Sequence, residues 1–136
     1  MRQNWLFPCN PNNYDVLNAF ANNIFVDWGT NLKVKLDDFV YIYVGAPIKK
    51  ILIRAVVVEE NVTDFIVDDS NYHEDNYEDI KVKKKYVKLK INKCYLGEDM
   101  YDLSYDKLLQ NGLNGVVRGQ MSLDNNPQLK DYIKDI

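Results

Sequence analysis

One histidine and two cysteines in a chain of 136 residues leave little from which to build a metal centre or an acid–base pair. Structural zinc takes four ligands, mostly Cys and His at short spacings, and Cys9, His73 and Cys94 supply neither the number nor the spacing. His73 lies in Asp68-Asp69-Ser70-Asn71-Tyr72-His73-Glu74-Asp75, which reads as a solvated acidic loop, so no Ser–His–Asp or Cys–His arrangement is expected. Two cysteines make no disulfide framework and suit a reducing, cytoplasmic setting. Apolar runs such as Ala55 to Val58 fall far short of the ~20 residues of a membrane span. The opening Met1-Arg2-Gln3-Asn4-Trp5 lacks the apolar stretch of a signal peptide. A protein without metal, cofactor or membrane, and not an enzyme, is the expectation.

What is present suits one globular domain over residues 1–136: 46% of the chain is hydrophobic and 12% aromatic. The net charge of −3 argues against broad electrostatic capture of polyanions, yet the average hides a separation. From Glu59 to Asp79 there are nine acidic residues and no Lys or Arg, whereas Lys81 to Lys93 holds seven lysines and no acid. Either an acidic loop neutralises a neighbouring basic strand, or the strand offers Lys84, Lys88 and Lys90 to phosphates while the loop limits where a polyanion can lie.

Asn4 to Phe7 reads as a short strand ended by Pro8-Cys9-Asn10-Pro11. Asn13 can cap a helix from about Tyr14 to Asn22, with Val16, Leu17, Phe20 and Ala21 on one face. Asp27-Trp28-Gly29 reads as part of a polar loop, and Leu32, Val34 and Leu36 alternate with lysines as in a half-buried strand. Phe39 to Val44 is apolar on both parities, so both faces should be covered, and Gly45-Ala46-Pro47 ends it. Lys50 to Val58 is a further strand, Phe65-Ile66-Val67 a short edge piece, and Tyr86 to Asn92 alternates strictly. Ser104 can cap a turn of helix that stops at Asn111-Gly112, and Asn126-Pro127 opens a terminal helix carrying Leu129, Tyr132 and Ile133. Mixed strands covered on both sides by few helices make an α+β domain with a curled or closed sheet.

Three segments resemble a known family. Trp5-Leu6-Phe7-Pro8-Cys9-Asn10-Pro11-Asn12-Asn13-Tyr14-Asp15 is similar to the opening strand and first helix of bacterial EVE-type domains. Val34 to Val44 is similar to their V-x-x-G-D-x-V-Y-x-Y strand, with Asp37 standing where that pattern has glycine. Leu113-Asn114-Gly115-Val116-Val117-Arg118-Gly119-Gln120-Met121-Ser122-Leu123 resembles their closing segment. The resemblance implies a PUA-like pseudo-β-barrel of five to six mixed strands with short flanking helices. It also implies a pocket for a flipped or unpaired base, often a modified one, in single-stranded or opened DNA or RNA. Some such domains work with a nuclease in modification-dependent restriction; here a separate effector protein would have to supply one.

A base reader needs flat aromatic walls and a few fixed polar groups, stacking being worth ~1–3 kcal/mol per base. Trp5, Trp28, Tyr41 and Tyr43 are the candidate walls, each with a core role as the alternative. Asn10, between Pro8 and Pro11, is the candidate edge-reading amide, or else an ordinary turn residue. Arg118, between Gly115 and Gly119, is the candidate phosphate or base contact, or else a turn arginine paired with a carboxylate. A non-catalytic reader of a base is thus the leading expectation. The alternative is a subunit that docks a protein through its acidic loop and terminal helix. A small enzyme acting through Asp or Cys9 lacks anything to activate its nucleophile.

Overall fold

The sheet grows from segments whose side chains are apolar on both parities, which only a structure covered on both faces can bury. The computed structural model describes residues 2–12, 15–23, 25–62, 85–95 and 101–136. Among the described residues six strands and three short α-helices follow in the order β1 (Asn4–Cys9), α1 (Val16–Asn22), β2 (Phe25–Thr30), β3 (Phe39–Val44), β4 (Lys50–Val62), β5 (Lys85–Cys94), α2 (Tyr105–Gln110), β6 (Met121–Ser122) and α3 (Pro127–Lys134). They form one mixed, curled sheet in the order β2-β5-β4-β3-β1-β6, a half-barrel in which only β1 and β3 run parallel. A parallel pair needs a crossover, and the chain between β1 and β3, which carries α1 and β2, supplies it.

Alternation along β3 divides the core. Val40, Ile42 and Val44 pack with Trp5, Phe7 and the α1 residues Val16, Ala19 and Phe20. Tyr41 and Tyr43 pack on the other side with Leu108 of α2 and Leu129 and Ile133 of α3. Helix α1 buries a different face from the one expected: Ala19 is inside, whereas Leu17 and Ala21 are exposed, and Asp15 provides its cap by accepting from the Asn18 amide. The caps at Ser104 and Asn126 are as expected. Asn126 does a second thing, donating Nδ2 to the Gly112 carbonyl at 2.8 Å. Gly112 has φ 114°, and a Cβ there would stand 3.2 Å from both Asn126 Oδ1 and the Leu129 amide, so only glycine lets α2 end against the start of α3.

Three segments depart from the sequence expectation. Pro8 does not end β1, which runs on to Cys9 in register with Tyr43 and Val44. Strand β6 accompanies β1 only opposite Trp5 and Leu6, so beyond them β1 has an open edge where proline is tolerated. Asp27-Trp28-Gly29 is not loop but the middle of β2, antiparallel to β5 and paired in turn with Lys88, Val87 and Tyr86. Leu32, Val34 and Leu36 form no strand, because side chains take the backbone donors that a ladder would need. Asp38 accepts from the Lys35 amide at 2.8 Å and Glu60 from the Leu36 amide at 2.6 Å. Only Val34 of the three is buried. Phe65–Val67 and the acidic segment 64–80, with His73, lie outside the described residues, as does Lys84.

One side chain helps curl the sheet. Gln120, just before β6 at one edge, donates Nε2 to the Gly29 carbonyl at 2.8 Å and accepts from Thr30 Oγ1 at 2.7 Å, both on β2 at the other edge. No helix among the described residues is long and apolar enough to cross a membrane.

Candidate functional site

Because β1 and β3 are parallel, both end at the same side of the sheet, with Cys9 opposite Val44. The Gly45 amide donates to the Cys9 carbonyl at 2.8 Å and keeps the two chains together as they leave the sheet. Beyond that bond they diverge, one into Asn10–Asn12 and the other into the turn at 45–48. The loop between α2 and β6 brings Val117 and Arg118 up as a third wall. The result is a cavity of about 480 Å³ lined by the Pro8–Asn10 stretch, Asn12, Tyr43, Gly45, Ala46, Val117 and Arg118. That volume lies in the range of small-ligand sites.

The lining is chemically mixed. Asn10 Oδ1 accepts from the Asn12 amide at 2.9 Å, an Asx turn that fixes the side chain and leaves its NH₂ group toward other partners. Tyr43 is nearly buried, and its phenol is pushed up in pKa by burial and by Tyr105, so it stays neutral. Cys9 is also buried, and burial followed by the charge of Asp15 pushes its thiol up to about 12. A thiol held that far above neutrality is not a thiolate nucleophile at physiological pH. Arg118 is exposed and pairs with no carboxylate among the described residues, unlike a turn arginine held by an acid.

Of the residues singled out in the sequence, Asn10, Tyr43 and Arg118 come together here. Trp5 does not: it is buried in the core, and its indole donates to Asp38 Oδ2 at 2.9 Å. Tyr41 is fully buried beneath the opposite helices. Burial raises its phenol pKa, with Arg54 and then Arg2 pulling the other way. Trp28 is half-buried on β2, three strands away from β3 in the sheet order, packed against the core and apart from the cavity lining. The expected multi-walled aromatic cage is therefore reduced to Tyr43.

The described lysines of the basic strip stand apart from the cavity. Lys88 has a side chain only 12% exposed, bridges to Glu59 at 3.1 Å and lies 5.4 Å from the Phe25 ring centre. Lys90 is exposed on β5, opposite Val56 and Phe25, at a remove from the cavity. Sequence reasoning missed Pro8, Ala46 and Val117 as lining residues. The parallel pairing that puts the end of β1 beside the end of β3 is not written in either strand alone. Groups of His, Cys, Asp and Glu able to hold a metal are absent among the described residues.

No family model matches the chain, and no curated protein matches its sequence. Among solved structures, the crystal structure of ASCH from Zymomonas mobilis is similar with a TM-score of 0.63 at 9% identity, over 100% of this chain and 96% of that one. A tyrosine-to-phenylalanine variant of the same Zymomonas mobilis protein gives 0.63 at 10% identity, over 99% of each chain. The NMR structure of Rpa0253 from Rhodopseudomonas palustris gives 0.53 at 15% identity, over 79% of this chain and 70% of that one. At such identities the likeness is one of fold, and it defines the class: a six-stranded, mixed, curled half-barrel with three short helices, the ASCH/PUA-like fold. The curled half-barrel expected from the sequence motifs is thereby present, and the EVE-type resemblance rests on those motifs alone.

Proposed function

We propose that this protein is a non-catalytic nucleic-acid-binding module that holds an unpaired base in the cavity at the carboxyl ends of β1 and β3. The observation that carries the reading is the convergence of Asn10, Tyr43 and Arg118 on that one cavity. Their chemistry is complementary to a nucleotide: an amide for a base edge, an aromatic phenol for a base face and an unengaged guanidinium for a phosphate. PUA-like folds are generally RNA-related, which favours RNA over DNA as the strand. The protonated Cys9 supports a binding rather than a nucleophilic role.

Selection for a methyl mark is a further step. One methyl changes burial by only ~0.8 kcal/mol, so discrimination needs a tight cage. With Trp5, Trp28 and Tyr41 elsewhere, the reading keeps a base and leaves its modification to the open side of the cavity. The finer EVE-type assignment, with a separate nuclease or other effector as partner, rests on the three motif segments. The protein-docking alternative is less favoured, because α3 spends its apolar side on the core through Leu129 and Ile133.

Fluorescence anisotropy with labelled five-nucleotide RNA and DNA strands, one for each base, tests the reading. Arg118→Ala is expected to weaken binding at least tenfold, and Asn10→Ala to flatten the preference among bases. Wild-type affinity and wild-type base preference in both variants would overturn it.

A further inference from the structure

At the other end of the parallel pair, two arginines converge on one ring. The guanidinium carbon of Arg2 lies 4.1 Å from the centre of Phe39, and that of Arg54 lies 4.6 Å from it. Each is fixed by a bond from Nε to a neutral acceptor, Arg2 to the Asp37 carbonyl at 2.7 Å and Arg54 to Asn92 Oδ1 at 2.7 Å, and Arg54 also lies against the Tyr41 hydroxyl. Such anchoring orients a guanidinium while leaving terminal nitrogens, both on Arg2 and the one not turned to Tyr41 on Arg54, for something else.

Nothing on the described chain neutralises this pair. Among the described residues neither arginine makes an ion pair. The carboxylate of nearby Asp38 is turned inward, where it takes three donors: the Gln3 amide, the Trp5 indole and the Lys35 amide. The surroundings add positive charge. Lys93 stands opposite Arg54 in the β4–β5 ladder with its ammonium donating to an Ile136 oxygen at 2.7 Å, and Val56 lies opposite both Phe39 and the exposed Lys90, so Phe39, Val56 and Lys90 form one cross-strand row. Each planar fork can take one phosphate of a backbone, and phosphates bound there offset the two like charges held against one ring.

We propose that Arg2 and Arg54, braced on Phe39, form a phosphate-binding site for the backbone of a single-stranded polynucleotide, separate from the cavity at the far end of β3. The ring and the fixed Nε bonds preorganise the two guanidinium groups, and Lys90 extends the site along the sheet face. The site reads charge, not sequence, and does not depend on the cavity binding a base.

An abasic single strand, which carries phosphates and no bases, removes the base contacts of the cavity. Anisotropy of a labelled abasic ten-residue strand should report binding to wild-type protein at low salt. The Arg2→Gln/Arg54→Gln double variant should lose at least tenfold in affinity. Losing two phosphate contacts should lower the slope of log affinity against log salt by about 1.4, at ~0.7 per single-strand contact. Arg54→Lys keeps the charge without the fork and should fall between the two; circular dichroism and thermal unfolding establish that all variants fold. No binding of the abasic strand, or equal affinity and slope in the double variant, would overturn the proposal. Saturable binding of inorganic phosphate at the pair with none of the abasic strand would also overturn it, by assigning the site to a free ion. Loss of base preference in Asn10→Ala with the abasic strand unaffected would separate the two sites.

Discussion

At the amino-terminal end of the β1–β3 pair, Asp38 is 1% exposed, and its two carboxylate oxygens accept from the indole of Trp5 and the amides of Gln3 and Lys35. At the carboxyl end, Arg118 is exposed without an ion pair and Asn10 commits only its oxygen, both among the described residues. One end spends its polar groups on holding the strands; the other leaves them pointing at a cavity. A buried carboxylate with three donors is a structural element, since removing it strands every donor at once. A surface guanidinium without an ion pair among the described residues contributes little to stability, which leaves it available to a ligand of the cavity. The same contrast separates the inner and outer sides of the closed end, where Asp38 is saturated and the Arg2–Phe39–Arg54 group is not.

The sharpest way to break the comparison is to empty the closed end. Asp38→Ala leaves a buried indole N–H and two backbone amides without their acceptor, which should cost about 3–5 kcal/mol. Asp38→Asn keeps one accepting oxygen and should cost less. Urea unfolding measures both, and a loss below about 1 kcal/mol for Asp38→Ala would mean that Trp5 and the 35–38 turn are held by packing alone. A mutation at the open end, Arg118→Ala, is the control, with a stability change within about 0.5 kcal/mol.

Next in size is the seam. Gln120→Ala removes two bonds between opposite edges of the sheet, an expected loss of about 1–3 kcal/mol at ~0.5–1.5 each. Gln120→Glu distinguishes the two bonds, because a carboxylate can still accept from Thr30 but cannot donate to the Gly29 carbonyl. If hydrogen exchange at β2 and β6 is unchanged in Gln120→Ala, the edges are held by their own ladders and the curl does not depend on this amide.

The strands that alternate or are apolar on both parities, β3, β4 and β5, were legible in the sequence, and so were the caps at Ser104 and Asn126. Local chemistry determines these elements. What was not legible is decided at a distance. Asp27-Trp28-Gly29 has the composition of a turn and becomes a strand because β5 offers six paired residues. Leu32–Leu36 has the alternation of a strand and becomes a turn because Asp38 and Glu60 capture its amides. The site follows the same division. Asn10 and Arg118 were visible as polar residues set among proline and glycine, and Tyr43 as an aromatic on a covered strand. Trp5 and Tyr41 looked equivalent to Tyr43, and only the position of the core shows that they are inside. The Arg2–Arg54 convergence joins residues far apart in the chain and left no trace in sequence.

The smallest expected effect concerns the turn that begins β3. Asp37 has φ 70°, the left-handed conformation in which a side chain crowds its own backbone, and it occupies the position where the resembling motif carries glycine. The shape that glycine permits is thus kept with an aspartate in it. Asp37→Gly relieves the crowding, worth ~1–2 kcal/mol, but returns roughly 0.5–1 kcal/mol to the unfolded chain as entropy, so the net gain should be about 0.5 kcal/mol. Asp37→Ala keeps the crowding without the local hydrogen bonding that makes aspartate tolerable there, and should lose about as much. The order glycine, aspartate, alanine in urea midpoints is the signature of backbone strain. Arg2 binds the Asp37 carbonyl rather than its side chain, so neither substitution removes that anchor. Equal stability for glycine and alanine would show instead that the turn is fixed by the amides Asp38 and Glu60 receive, with the conformation of residue 37 merely following.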